Sequence, residues 1–74
     1  MADTMLTMDY RLVDVLYSNQ LEVNDLIGLG DEVVKILSIE STKEGFTLLV
    51  ENNFAEKEVV EIFDDEQFEL FILE

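Results

Sequence analysis

The chain has no cysteine, no histidine, no proline and no tryptophan, and only four basic residues. Each absence closes a route. Without Cys and His there is no disulfide and no thiolate or imidazole zinc site, the usual staples of small domains. The same gap leaves only Ser, Thr, Lys, Tyr and carboxylates for nucleophilic or acid–base work. Without Pro, no strand-like run is demoted to an edge on that ground. No apolar run approaches the ~18 residues of a membrane-spanning helix. Residues 1–8 (MADTMLTM) hold neither the basic stretch nor the apolar core of a signal peptide. The expectation is a cytoplasmic protein with no membrane contact.

What is present is acid and apolar bulk. Eighteen Asp and Glu against four Lys and Arg give a formal net charge of −14 in 74 residues. That balance repels nucleic acid and anionic membrane and attracts basic protein surfaces. Hydrophobic residues make up 49%, too many for a disordered chain, which pairs high charge with low hydrophobicity. A domain this small buries only about 60–65% of its unfolded surface, so its stability rests on the core or on self-association. The organisation expected is a flexible start over residues 1–8, from which Met5, Leu6 and Met8 can pack back, and one domain over 9–74.

Residues 9–18 (DYRLVDVLYS) fit two periods. Leu12 with Leu16 and Val13 with Tyr17 make an i, i+4 stripe, while Val13, Val15 and Tyr17 alternate. The first favours a short N-terminal helix, with a strand as the alternative. Asn24-Asp25 is turn chemistry, and Gly28 and Gly30 suggest a second turn. Gly28-Leu29-Gly30 lacks the third glycine and following helix of a phosphate loop.

From there the pattern is β. Strands are expected at Val33 to Ile39, Phe46 to Glu51, Glu58 to Phe63 and Phe68 to Leu73, with turns at Thr42–Gly45 and Asn52-Asn53. Gly45 is the expected positive-φ residue of its hairpin. Asp64 to Gln67 has the spacing of a one-turn helix, Asp64 capping and Gln67 reaching back. Phe46, Leu48, Val50, Val60, Ile62, Phe68, Leu70 and Ile72 form one inward set. The opposite parity carries Leu37, Leu49, Val59, Phe63, Phe71 and Leu73 and needs a cover: the N-terminal segment, a second copy or a partner. The fold class is mainly β, a small SH3-like barrel or five-stranded roll with a short N-terminal helix.

The run Leu21-Glu22-Val23-Asn24-Asp25-Leu26-Ile27, then Asp31 to Ile36, a hairpin and two more strands, resembles small SH3-like β-barrels. Such barrels include the N-terminal domain of elongation factor P, ribosomal KOW-type domains and small barrels of bacteria and their phages. The resemblance covers about two-thirds of the chain and implies architecture alone. Asn24 stands where that pattern usually has Gly. Translation barrels are basic and this chain is acidic, so their nucleic-acid binding is not implied.

Acid–base catalysis needs two carboxylates in unlike environments facing a pocket. A filled barrel of this size has little room for one, so the expectation is a non-enzymatic protein. Asp64-Asp65-Glu66 lacks the spacing of a calcium loop, and no metal or cofactor is expected. Charge placement says more. Seven acids and no basic residue lie between Glu58 and Glu74. In a hairpin of the last two strands, alternate residues about 6.6 Å apart would space acids much as phosphates are spaced. The candidate partner-binding residues are Phe54, Glu56, Glu58, Glu61, Asp64, Asp65, Glu66 and Glu69. Phe54 either anchors a partner or folds back to plug the barrel. The expected function is a small acidic interaction or inhibitor module for a basic partner, with a nucleic-acid mimic as its sharpest form. The bland reading is acidity for solubility. The alternative function is an oligomeric structural component assembled through the apolar outer face of its last strand.

Overall fold

The computed structural model describes residues 9–74, and the flexible start expected over 1–8 lies outside them. The protein is mainly β: 65% of the described residues are in six antiparallel strands of one open sheet. These are β1 (Tyr10–Tyr17), β2 (Leu26–Leu29), β3 (Glu32–Ser41), β4 (Gly45–Glu51), β5 (Lys57–Phe63) and β6 (Gln67–Leu73), with a single 3-10 turn at Ser18–Gln20. Their spatial order is β1-β6-β2-β3-β4-β5. Strands β2 to β5 form a meander. The chain then crosses over, and β6 returns to the far side of β2, where β1 flanks it.

Five sequence expectations are corrected. The first is the N-terminal helix: residues 10–17 are a strand paired along β6. Val13, Val15, Tyr10 and Tyr17 suit a pleated strand, and β6 pairs the backbone groups that so short a helix would leave open at its two ends. A register shift between Leu12 and Asp14 marks a bulge. It switches faces, so that Leu16, opposite Phe68, packs on the core while Leu12, opposite Phe71, points outward. The expected roll also gains a sixth strand by this route.

The second correction concerns the cover. Lying edge-on beside β6, β1 covers no sheet face, and Leu12, Val13 and Tyr17 stay exposed. Third, Asp64 and Asp65 form a turn and not a one-turn helix. The Phe63 N–H donates to Glu66 Oε2 at 2.7 Å, so Glu66 closes the turn where Gln67 was expected to reach back.

Fourth, Gly45 opens β4 and is buried there. Among the described residues the positive-φ positions are Gly30, Asn24 and Ala55. Asn24 (φ 81) sits third in a turn that closes from Asp25 N–H to Glu22 O, the position where type II turns accept Gly or Asn. Gly30 makes the β2–β3 turn, but Gly28 lies inside β2, where a Cβ would meet the Phe71 ring at 3.2 Å. Fifth, β5 and β6 are not a hairpin, because three strands separate them.

The core is Leu21, Ile27, Val34, Ile36, Leu48, Val50, Ile62 and Phe68, with Phe46, Val60 and Leu70 packed against it. The inward set read from the strands is thus assembled, except Ile72, which is 39% exposed. Strand β6 meets β2 only at Leu26–Phe71 and Ile27–Leu70, so Ile72 lies past that seam. Ser18, the one buried polar residue among those described, makes a clasp across the fold. Its hydroxyl donates to Phe63 O at 2.5 Å and lies 3.2 Å from Glu66 O, and its N–H donates to Glu66 O at 2.9 Å. The end of β5 is thereby tied to the end of β1.

Candidate functional site

The β4–β5 loop is built around Asn52. Its Oδ1 accepts from the N–H groups of Phe54 (2.9 Å) and Glu56 (3.0 Å), and its Nδ2 donates to Glu56 Oε1 (2.9 Å). The Asn52 N–H donates to Glu56 O, and Ala55 N–H returns to Asn52 O. This is the side-chain mimicry of a backbone turn that makes Asn favourable in loops. A second tether comes from β1, where the Tyr10 hydroxyl donates to Asn53 Oδ1 at 2.6 Å.

At the crest of this braced loop Phe54 is 81% exposed, the most exposed of the large hydrophobic residues described. It does not fold back as a plug. The loop bonds fix its backbone before any contact is made, which lowers the ordering cost of using the ring. Beside the loop is a concavity of about 370 Å³ lined by Leu29, Val34 and Val50 and by Glu32, Glu56 and Glu58. Lys57, which also lines it, lies 3.6 Å from Glu51 in an exposed ion pair. Such a pair contributes little to stability.

Of the expected residues, the structure sets Glu56 and Glu58 on the rim of this concavity, with Phe54 on the adjoining loop, bonded like Glu56 to Asn52. It adds Glu32 and the bracing residues Asn52, Asn53 and Tyr10, which sequence reasoning did not single out for this role. The Asn-Asn pair marked the turn, but its bonds depend on Glu56 and β1. Glu32 joins the rim only because β3 lies beside β4. The remaining expected residues lie apart. Glu61 is further along β5, and Asp64 and Asp65 are in the turn beyond it, next to the β3–β4 loop through Asp64 N–H to Glu44 O. Glu66 is engaged in that turn, and Glu69 lies on β6 beside Gly28. Separation of β5 from β6 thus dissolves the single ladder of acids. Among the described residues no group of three or more acidic side chains is placed to hold a metal ion. No described helix is long and apolar enough to cross a membrane.

Ala55, inside the loop, holds φ 62, a region that costs an L-residue about 1–2 kcal/mol. Replacing it by Gly, Ala55→Gly, should stabilise the protein by about 0.5–1 kcal/mol once glycine's extra chain entropy is subtracted. Thermal unfolding should then shift up by roughly 3–6 °C. A lower melting temperature would contradict the assigned loop geometry.

No protein-family model, curated protein or solved structure matches this chain.

Proposed function

We propose that this chain is a small non-enzymatic interaction module that binds a basic protein surface, with Phe54 as its apolar anchor and Glu32, Glu56 and Glu58 as the surrounding acids. The observation that carries this reading is Phe54, 81% exposed on a loop held by the Asn52 bonds. A rigidly presented aromatic beside complementary charge is the usual composition of a binding hot spot. The net charge of −14 steers a cationic partner in and turns nucleic acid and anionic lipid away. The phosphate-ladder form of mimicry has lost its hairpin, so the acids act as a patch. An inhibitor-like role, in a bacterial cytoplasm and of bacterial or phage origin, is in keeping with this acidity, and the SH3-like resemblance bears on the architecture alone. A meander whose last strand returns to its first, with Ser18 clasping the ends, supports that architecture.

The test is capture on the immobilised chain, elution with salt, and measurement of Kd for the purified partner at two ionic strengths. Affinity should fall as salt rises. Phe54→Ala should weaken binding at least tenfold, about 1.4 kcal/mol, at an unchanged melting temperature. Salt-independent affinity, or full binding by Phe54→Ala, would remove the reading. The second reading, assembly with copies of itself, is favoured by Leu12, Val15, Tyr17 and Leu73, each about half exposed on β1 and β6. Light scattering at micromolar concentration separates the two: a monomer excludes assembly.

A further inference from the structure

An open sheet has two edges, and here they are treated differently. On β1, the bulge near Val13 twists the edge. The outward-facing amides beyond it are taken: Val15 N–H donates to Asp14 Oδ1 at 2.7 Å, and Tyr17 N–H to Gln20 Oε1 at 2.8 Å. On β5 the pairing to β4 is uninterrupted from Gly45–Phe63 to Glu51–Lys57. Flanking bonds set its phase, since Asn52 N–H donates to Glu56 O and Asp64 N–H to Glu44 O. Even-numbered residues of β5 therefore bond β4. The N–H and C=O groups of Lys57, Val59 and Glu61 point away from the sheet. Among the described residues, Phe63 is the one position of this edge with its outward groups taken, its N–H by Glu66 and its carbonyl by the Ser18 hydroxyl.

The side chains along this edge have a definite chemistry. Val59 is 64% and Phe63 58% exposed, and Glu61 is exposed between them on the same face. Glu58 is exposed on the opposite face, next to Val60. We propose that the Lys57–Glu61 stretch of β5 is a strand-addition site, which takes an extended segment of the partner with lysine or arginine opposite Glu61 and Glu58, an apolar residue opposite Val59 and another against the exposed Phe63 ring. Main-chain bonds would supply affinity and the alternating side chains specificity. This rests on the proposed basic partner and adds how that partner is held. Charge complementarity selects this occupant over a second copy, which would bring a further −14 to the same edge.

The probe is the blocked peptide Val-Thr-Lys-Val-Val-Lys-Thr, which in antiparallel register sets its lysines opposite Glu61 and Glu58. Amide exchange is followed by NMR on the full 74-residue chain at low salt. The Val59 and Glu61 amides should exchange fast in the free protein and at least tenfold slower with peptide. N-methylation of the peptide's third and fifth residues should abolish that protection. Val59→Pro, which removes an outward N–H and leaves the β4-facing groups of Glu58 and Val60 in place, should weaken binding at least tenfold with the β4 amide shifts unchanged, and well beyond the loss from Val59→Ala, which trims the side chain alone. Binding without protection at Val59 and Glu61 would overturn strand addition yet leave a basic partner at Phe54. No binding would overturn strand addition, with the Phe54 reading left to its own salt test. Equal binding by the N-methylated peptide also overturns it, as does protection that grows with protein concentration alone, which would assign the edge to a second copy.

Discussion

Gly45→Ala should abolish the fold or cost about 3 kcal/mol or more, the upper end of what overpacking does. A Cβ on Gly45 would sit 2.0 Å from Ile62 O, 2.7 Å from Phe63 Cα and 2.9 Å from Ile62 C. All three are backbone atoms of the paired strand, so no rotamer change relieves the clash. The strands would have to part where β4 begins, directly opposite Phe63. Total stability for a chain of this length is roughly 4–11 kcal/mol, so the loss is a large share. Gly30→Ala is the contrast. Gly30 has φ +63 with nothing near the added carbon, so only conformational strain of about 1–2 kcal/mol applies. Denaturant unfolding of the two variants checks the difference. A Gly45→Ala protein as stable as Gly30→Ala would mean that β4 and β5 do not approach as described.

Ile27→Ala is expected to cost about 2–5 kcal/mol, the range for emptying a fully buried aliphatic site. Ile27 is 0% exposed and stands at the narrowest joint of the sheet, where β2 pairs with β3 on one side and with β6 at two positions on the other. Its removal should loosen the β1–β6 ribbon more than the β3–β4–β5 meander, because the ribbon is held by that seam and by the Ser18 clasp. Hydrogen exchange should therefore accelerate more in β1 and β6 than in β4. Uniform acceleration would instead indicate a single cooperative unit.

Both predictions depend on features that the residue pattern shows only in part. The strands were legible from their alternation: Phe46, Leu48 and Val50 face inward as a period of two requires, and Val60 and Ile62 follow. The turn at Asn24 was legible because few residues besides Gly and Asn tolerate its geometry. The function of Gly45 was not, since a glycine required by a positive φ and one required by close strand approach look alike in sequence. Residues 9–18 misled for a related reason. Positions i and i+4 share a face in a strand as they do in a helix, so Leu12 with Leu16 and Val13 with Tyr17 fitted both periods until pairing along β6 chose the strand.

The candidate site divides along the same line. The exposure of Phe54 depends on Asn52 reaching both Phe54 and Glu56, a local matter within five residues, and its loop position was readable. The grouping of Glu32 with Glu56 and Glu58, and the separation of Glu61 from Glu69, follow from which strands are neighbours.

By itself the sequence determined the mainly β character, the inward set and the strong acidity, because each depends on residue type and on a period of two. Tertiary structure alone decided that β6 leaves β5 to join β2 and that β1 extends the sheet. Only there did it emerge that Val15 and Tyr17 on one edge have side-chain partners for their amides while Lys57, Val59 and Glu61 on the other have none among the described residues. Those outcomes depend on which backbone groups find partners across long sequence separations. Nearly any strand can pair with any other, so the choice is made by packing of the whole core.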